Sequence, residues 1–258
     1  MDETYDVIVC GTGMKECILA GLMAVDGKKV LHLDKNNYYG AASASLNIST
    51  LYTHFNKPGE PPQEFGANRD WNVDLVPKFV MAGGELVDIL LHTKVSNYLE
   101  WKTVDASYVY QYQAAGLLSG EKFIHKVPAS DSEALKSPLM GMMEKNRCKN
   151  FFVWAQNFDA SNQNTWGGLD PRQNTMQQLY EKFGLQIGTI DFLGHAVALQ
   201  TSDNYLNMPY GPTIDKVQLY MKSMGRYGNS PFLYPVYGLG GIPEGFARLC
   251  VFFLNSKK

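Results

Sequence analysis

The sequence predicts an α/β protein of the Rossmann type with a small inserted helical domain. Three observations carry this. An apolar run, Val7-Ile8-Val9-Cys10, leads directly into Gly11-Thr12-Gly13, and a helical pattern and a second apolar run ending at Asp34 follow. The chain is 45% hydrophobic and 19% charged over 258 residues, enough to fill one large core or two smaller ones. From about residue 130, β-type alternation gives way to about ninety residues of helical periodicity.

The first element is a βαβ unit. Tyr5 to Cys10 read as a buried strand. Met14 to about Val25 read as a helix with Ile18, Leu19, Leu22 and Met23 on one face. Asp26-Gly27-Lys28 make the turn, and Lys29 to Leu33 form a second, parallel strand. Asp34 follows Gly13 by about twenty residues, where an acidic side chain takes ribose hydroxyls in a dinucleotide site. In that fingerprint Gly11 permits the tight turn and Gly13 lets a pyrophosphate approach. A third glycine is expected at position 16, where this chain has Glu16. The glutamate adds bulk where helix and strand meet. Its charge suits the positive end of the helix but competes with a phosphate for it. An inherited scaffold without a cofactor is the expectation.

Residues 35–70 are rich in Asn, Ser, Gly and Pro and read as surface loops, with a short helix around Leu51 to Phe55. A strand is expected near Val73 to Leu75, a helix from about Gly84 to Leu91, and a hairpin across 104–127 built from "SYVYQY" and "EKFIHKV". In the helical stretch Ser132 is expected to cap one short turn. Ser137-Pro138 is expected to start a helix carrying Leu139, Met140, Met142 and Met143. "FFVWAQNF", "TMQQLYEKFGL" and "TIDFLGHAVAL" supply further helical segments. Gly/Pro turns then return, and a last helix is expected at Pro243-Glu244. The expected domains are 1–129 with 220–258, and 130–219.

Several classes of function are disfavoured. A net charge of −2 offers no field for nucleic acid. Cys10, Cys17, Cys148 and Cys250 form neither a CxxC pair nor a zinc spacing, and read as reduced thiols of a cytosolic protein. The acidic N-terminus lacks a secretory pattern, and no apolar run is long enough for a bilayer, so membrane contact is expected to be peripheral. There is no GxSxG, HExxH or P-loop. His195, between apolar residues in "FLGHAVAL", reads as a satisfied core histidine rather than a base.

Five separated motifs, "YDVIVCGTGMKECILAGLMAVDGKKVLHLDKNNYYG", "RDWNVDLVPKF", "LMGMMEKNR", "IDFLGHAVAL" and "RYGNSPFLYPVYGLG…GFARL", resemble the Rab GDP-dissociation inhibitors in the same order. The resemblance runs from Met1 to about Leu249. It implies a flavoprotein-like, FAD/NAD(P)-binding-like fold without a working flavin site, and a binding protein rather than an enzyme. Its implied partners are GDP-bound prenylated Rab GTPases and their geranylgeranyl lipid. The implied role is to slow GDP release and to carry the GTPase between membrane and cytosol, touching the membrane only transiently. The positions matching the family's Rab-binding surface are Tyr39, Arg69 and Arg248, with Arg226 and Tyr227 at the start of its mobile effector segment. The helical insert matches the lipid-sheltering domain, with Leu139, Met142, Met143, Phe192 and Ala196 as expected liners. Tyr39 stacking in its own loop, Arg69 tying a turn and the liners forming ordinary helix–helix core are the alternative readings of those residues.

Two departures from the family stand out. Gly241 occupies the place of an acidic residue in "GLGGIP", which implies an altered Rab contact. Family members are also much longer, so a shortened product or an incomplete gene sequence is expected. A Rab escort protein and an FAD-dependent oxidoreductase of the same ancestry remain the competing readings.

Overall fold

The computed structural model describes residues 4–114 and 120–255. Along the chain run β1 (Val7–Cys10), α1 (Met14–Val25), β2 (Val30–Leu33), β3 (Ser45–Leu46), α2 (Ile48–His54) and β4 (Val73–Asp74). Next come β5 (Val80–Met81), α3 (Glu85–His92), β6 (Trp101–Thr103), β7 (Tyr108–Ala114), β8 (Gly120–Lys126), α4 (Asp131–Lys136) and α5 (Met142–Asn157). The series ends with α6 (Met176–Phe183), α7 (Ile187–Asp191), α8 (Gly211–Ser223), β9 (Phe232–Pro235) and α9 (Gly241–Asn255). Contacts divide the chain into two units, one of Met1–Val80, Glu85–Lys102 and Leu233–Lys258, the other of Met81–Gly84 and Thr103–Phe232. The second is wider than the helical stretch 130–219, because it also takes in the hairpin, residues 220–232 and the strip 81–84.

In the first unit β1 and β2 are parallel, with Val7 opposite Val30 and Cys10 opposite Leu33. The turn after α1 closes through Gly27 at φ 87, with Lys28 N–H donating to Met23 O at 3.0 Å. The buried face of α1 is not centred on that apolar row. Cys17, Ala20, Gly21 and Ala24 are buried, while Leu19 and Leu22 are exposed. This stripe packs on α9, where a Cβ on Gly21 would stand in ordinary contact, 3.7 Å from the Phe246 carbonyl. Val9, Ala20, Ala24, Val30 and Cys250 form the resulting core. Cys10, expected to be buried, is exposed. β3 pairs antiparallel with β4, and Asn47 caps α2 by accepting from Thr50 N–H at 2.9 Å.

The second unit holds the antiparallel hairpin β7–β8, with Tyr108 opposite Lys126, and a helical core. Phe151, Leu179, Tyr180, Leu193 and Ile214 are fully buried there. Phe151 meets Phe183 edge-on at 5.5 Å. α6 carries a complete capping box, Thr175 with Gln178, and ends on Gly184 at φ 65. Near both ends of the long insert, Val104 N–H donates to Phe232 O at 3.0 Å. The strip 81–84 adds to the same unit: Ala82 N–H donates to Pro231 O at 2.8 Å, and Gly83 N–H to Ser223 Oγ at 2.9 Å.

Two expected helix starts move. Ser130, not Ser132, caps α4, and its Oγ accepts from Glu133 N–H. Ser137-Pro138 lies in the turn before α5, which begins at Met142 behind Gly141. Glu144 explains the later start. Its buried carboxylate, 4% exposed, accepts from Gln186 N–H at 2.7 Å and pairs with Arg147, fixing the first turn of α5 against the segment before α7.

Candidate functional site

The fingerprint loop retains the nucleotide-binding backbone but fills it with its own side chain. Gly11 sits at φ 104 and Gly13 caps α1 in an extended conformation without a side-chain cap. A Cβ on Gly13 would stand 2.5 Å from Glu16 Oε2. The carboxylate therefore covers the glycine that a pyrophosphate would approach. Asp34 is engaged as well: Oδ2 accepts the Thr12 hydroxyl at 2.5 Å and Oδ1 accepts Asn36 N–H at 2.8 Å. These two bonds hold its carboxyl below the ordinary aspartate range. The residues present do not fit an anionic dinucleotide. Among the described residues no cluster of three or more His, Cys, Asp or Glu could hold a metal ion.

A groove of about 220 Å³ opens elsewhere on the first unit, lined by Tyr98, Glu100, Tyr237, Gly241, Glu244 and Arg248 among others. Its wall is set by Asp74, which accepts the Ser45 and Tyr234 hydroxyls and the Leu239 N–H, the last at 2.9 Å. Ser45 Oγ in turn accepts Gly240 N–H at 2.8 Å. The approach is tight enough to require glycine: Gly238 lies at φ 83, and a Cβ on Gly240 would stand 2.7 Å from Ser45 N. Arg248 donates through Nε and Nη2 to one oxygen of Glu244, at 3.2 and 2.6 Å, and stays 61% exposed. At Gly241 a Cβ would meet Leu99 Cδ2 at 3.4 Å, ordinary contact, so the site can hold a side chain it does not have.

The second unit contains a larger pocket of about 570 Å³. The hairpin supplies Tyr108, Val109 and Tyr110, and the turn before α5 supplies Leu139 and Met140. The opposite wall is one continuous stretch. α7 runs into a π-helical segment, Phe192–Val197, and Ile187, Asp191 and His195 form one row, Gly188, Phe192 and Ala196 the next. The four-residue spacing lies between the α and π repeats, so a chain that changes from one to the other presents straight rows. The wider turn also carries His195 outward. It is exposed, not a core residue, and both ring nitrogens are engaged, Nδ1 with Gln200 O at 2.8 Å and Nε2 with Asp203 Oδ1 at 3.0 Å. The Gln200 carbonyl, then Asp203, raise its pKa above the ordinary histidine value.

The family model for GDP dissociation inhibitors matches residues 1–255. The chain belongs to this family. It is 50% identical to Rab GDP dissociation inhibitor beta of Rattus norvegicus over 254 residues, which cover 98% of this chain and 55% of that protein. The Canis lupus familiaris protein of the same name matches equally, at 50% identity over 98% of this chain and 55% of the relative. The chain thus spans about half the length of the curated relatives it matches. The crystal structure of the Rab GDI from Plasmodium falciparum superposes with a TM-score of 0.81 at 56% identity, covering 98% of this chain and 57% of that one. An oxidoreductase from Methanosarcina mazei shares the fold at a TM-score of 0.53 and 11% identity, covering 96% of this chain and 49% of its own. The flavoprotein-like α/β fold expected from the sequence is therefore present.

Within this GDP dissociation inhibitor family member the expected site residues separate by unit. Tyr39, Arg69 and Arg248 belong to the first unit and all are exposed, but only Arg248 lines the groove. Tyr39 is 45% exposed, and the Arg69 side chain is 90% exposed beside Asp70. Arg226 and Tyr227 belong to the second unit. There the Arg226 guanidinium stands 5.4 Å over the Tyr227 ring and donates to Ala82 O at 3.0 Å. Of the expected liners, Leu139, Phe192 and Ala196 line the pocket. Met142 and Met143 do not. They are 72% and 76% exposed, because α5 starts at Met142 rather than at Pro138 and its first turn buries Glu144 while these two side chains face solvent. Met140 takes their place. Glu100, Asp74, Ser45 and the hairpin tyrosines were not legible as site residues. For Ser45 and Asp74 the sequence signal is the Gly-rich "YGLGG", whose Gly238 and Gly240 require close neighbours.

Proposed function

We propose that this chain binds the GDP-bound form of a prenylated Rab GTPase, slows GDP release and shelters the prenyl group while the GTPase moves between membrane and cytosol. The family match across residues 1–255 carries the reading. The groove beside Arg248 suits a protein partner, since an exposed arginine can exchange its helix-internal carboxylate for one on the partner. The pocket of the second unit suits an isoprenoid. It is large, lined by Leu139, Met140, Ile187 and Phe192 beside Asp191 and His195, and edged by Tyr108 and Tyr110. Burial at about 0.8 kcal/mol per CH₂-sized unit gives a C20 chain on the order of 10 kcal/mol before ordering costs. A cytoplasmic, non-enzymatic role with peripheral membrane contact fits this reading. Among the described residues no helix is long and apolar enough to cross a membrane. Glu16 over Gly13 argues against the oxidoreductase reading.

The test is release of labelled GDP from a geranylgeranylated Rab with and without the purified chain, with flavin absorbance read in the same sample. Slower release from a colourless protein is expected. Unchanged release, with the chain melting cooperatively, would refute the proposal for this chain.

A further inference from the structure

The mouth of the pocket in the second unit is rimmed by exposed apolar side chains from three segments. Register puts Tyr108 opposite Lys126 and Tyr110 opposite Ile124, so these four share one face of the β7–β8 hairpin. Tyr108 and Tyr110 also line the pocket, and both tyrosines and Ile124 are more than half exposed. On the opposite wall Ile187, at the start of α7, is 78% exposed. The third segment joins α4 to α5. Met142 and Met143 follow the liner Met140 by two and three residues and face solvent. Leu135, near the end of α4, is exposed too, and its carbonyl accepts from Lys145 Nζ at 2.6 Å, which ties it to the first turn of α5. Single exposed apolar residues need no partner, but a set converging on one opening marks a contact surface. The charge here is equally uneven. Residues 122–149 hold six Lys or Arg and three Asp or Glu, in a chain whose net charge is −2. Two of those three acids are engaged: Glu144 is buried against Gln186 N–H, and Glu133 accepts from Lys126 Nζ and Ala129 N–H. Lys122, Lys136 and Lys149 are exposed.

We infer that this rim is a docking surface for an anionic lipid bilayer, which the chain engages by itself, with no GTPase present. The side-chain types decide the occupant. Tyrosine places its ring at the edge of the acyl chains and its hydroxyl among headgroups, and lysine lays its stem on apolar surface while its ammonium reaches headgroup phosphate. Methionine adapts to a fluid surface and needs no shaped cavity. The basic excess disfavours a second copy, because a two-fold contact would set two such rims against each other. Docked this way, the pocket mouth opens into the membrane interface. The inference rests on the proposed prenyl-sheltering role and deepens it, since an isoprenoid then passes from bilayer to pocket without crossing water.

The test is sedimentation of the purified chain with vesicles of phosphatidylcholine alone or with about one third phosphatidylserine. These samples contain no GTPase, so a failure to bind leaves the GDP-release result untouched, and the reverse. Binding about tenfold or more tighter to the anionic vesicles is expected, weakening as salt rises. Met142→Asp combined with Met143→Asp should lose it, as should Lys122→Glu combined with Lys136→Glu. Leu22→Asp, at an exposed leucine of α1, should bind like the native chain. Melting temperatures show whether each variant folds. The native chain gives a second reading that needs no variant. Peroxide oxidation of Met142 and Met143, followed by peptide mass spectrometry, should slow about tenfold or more when anionic vesicles are present. Equal binding to neutral and anionic vesicles overturns the inference, and so does oxidation that the vesicles leave unchanged. Self-association of the native chain through Met142 and Met143 overturns it too, because it assigns the rim to a second copy.

Discussion

Gly194 lies flat against Tyr205, so close that a Cβ at position 194 would overlap the phenol ring and its hydroxyl. Tyr205 is buried and donates to Ile190 O at 3.4 Å, one turn before the π-helical segment. The contact links the wide turn to the core, and the wide turn forms the pocket wall.

Gly194→Ala should therefore destabilise the second unit by about 1–3 kcal/mol through overpacking. Tyr205→Leu in the same background should recover part of the loss. Urea melts of the two single variants and the double variant give the coupling directly, and additive effects would show that the two residues do not meet.

Asp74→Asn keeps the shape of the hub but weakens an acceptor serving Ser45, Tyr234 and Leu239. A loss of about 1–3 kcal/mol is expected by thermal unfolding, together with faster exchange of the Leu239 and Gly240 amides. A variant with native exchange at both amides would mean that the groove wall stands without the hub.

Glu16→Ala should uncover Gly13 at a cost of no more than about 1 kcal/mol, the value of one charge at a helix N-terminus. Flavin fluorescence during titration with FAD should show binding by the variant and none by the native chain. Absence of binding in both would place the obstacle elsewhere in the loop.

The raised pKa of His195 gives a signed dependence on pH. The folded state holds the proton more tightly than the unfolded chain, so this stabilisation is complete below the unfolded value near 6.5. It is lost as pH rises through the higher folded value. The groups acting on the ring are Gln200 O, Asp203 and Asp191. Melting temperatures from pH 5 to 9 should fall across that window in the native chain. The slope should flatten in His195→Gln and in Asp203→Asn.

The βαβ unit was legible because its pattern is local: an apolar run, two glycines, a helical period and a turn at Gly27. The buried face of α1 was not legible for a physical reason. Leu19 and Leu22 dominate any hydrophobic pattern, whereas the stripe that packs on α9 is Cys17, Ala20, Gly21 and Ala24. Pro138 carries a genuine helix-start signal, but a buried Glu144 bound to Gln186 moves the start of α5 to Met142 and turns two expected liners outward. His195 looks internal at an α-helical spacing, and the π-helical segment moves it out. The groove was not legible because Asp74 meets Leu239 across 165 positions of sequence.

The nested connectivity sets an order in time. On the ribosome the strip 81–84 is made early and waits for Ser223 and Pro231, so the second unit closes only when the chain reaches Phe232. The first unit begins earlier and gains partners later. Asp74 lacks Tyr234 and Leu239, and α1 lacks α9, until residues 234–255 are synthesised. The unit that starts second gains its last partners first, and the βαβ segment at the amino end waits for α9 while the whole of the second unit is made.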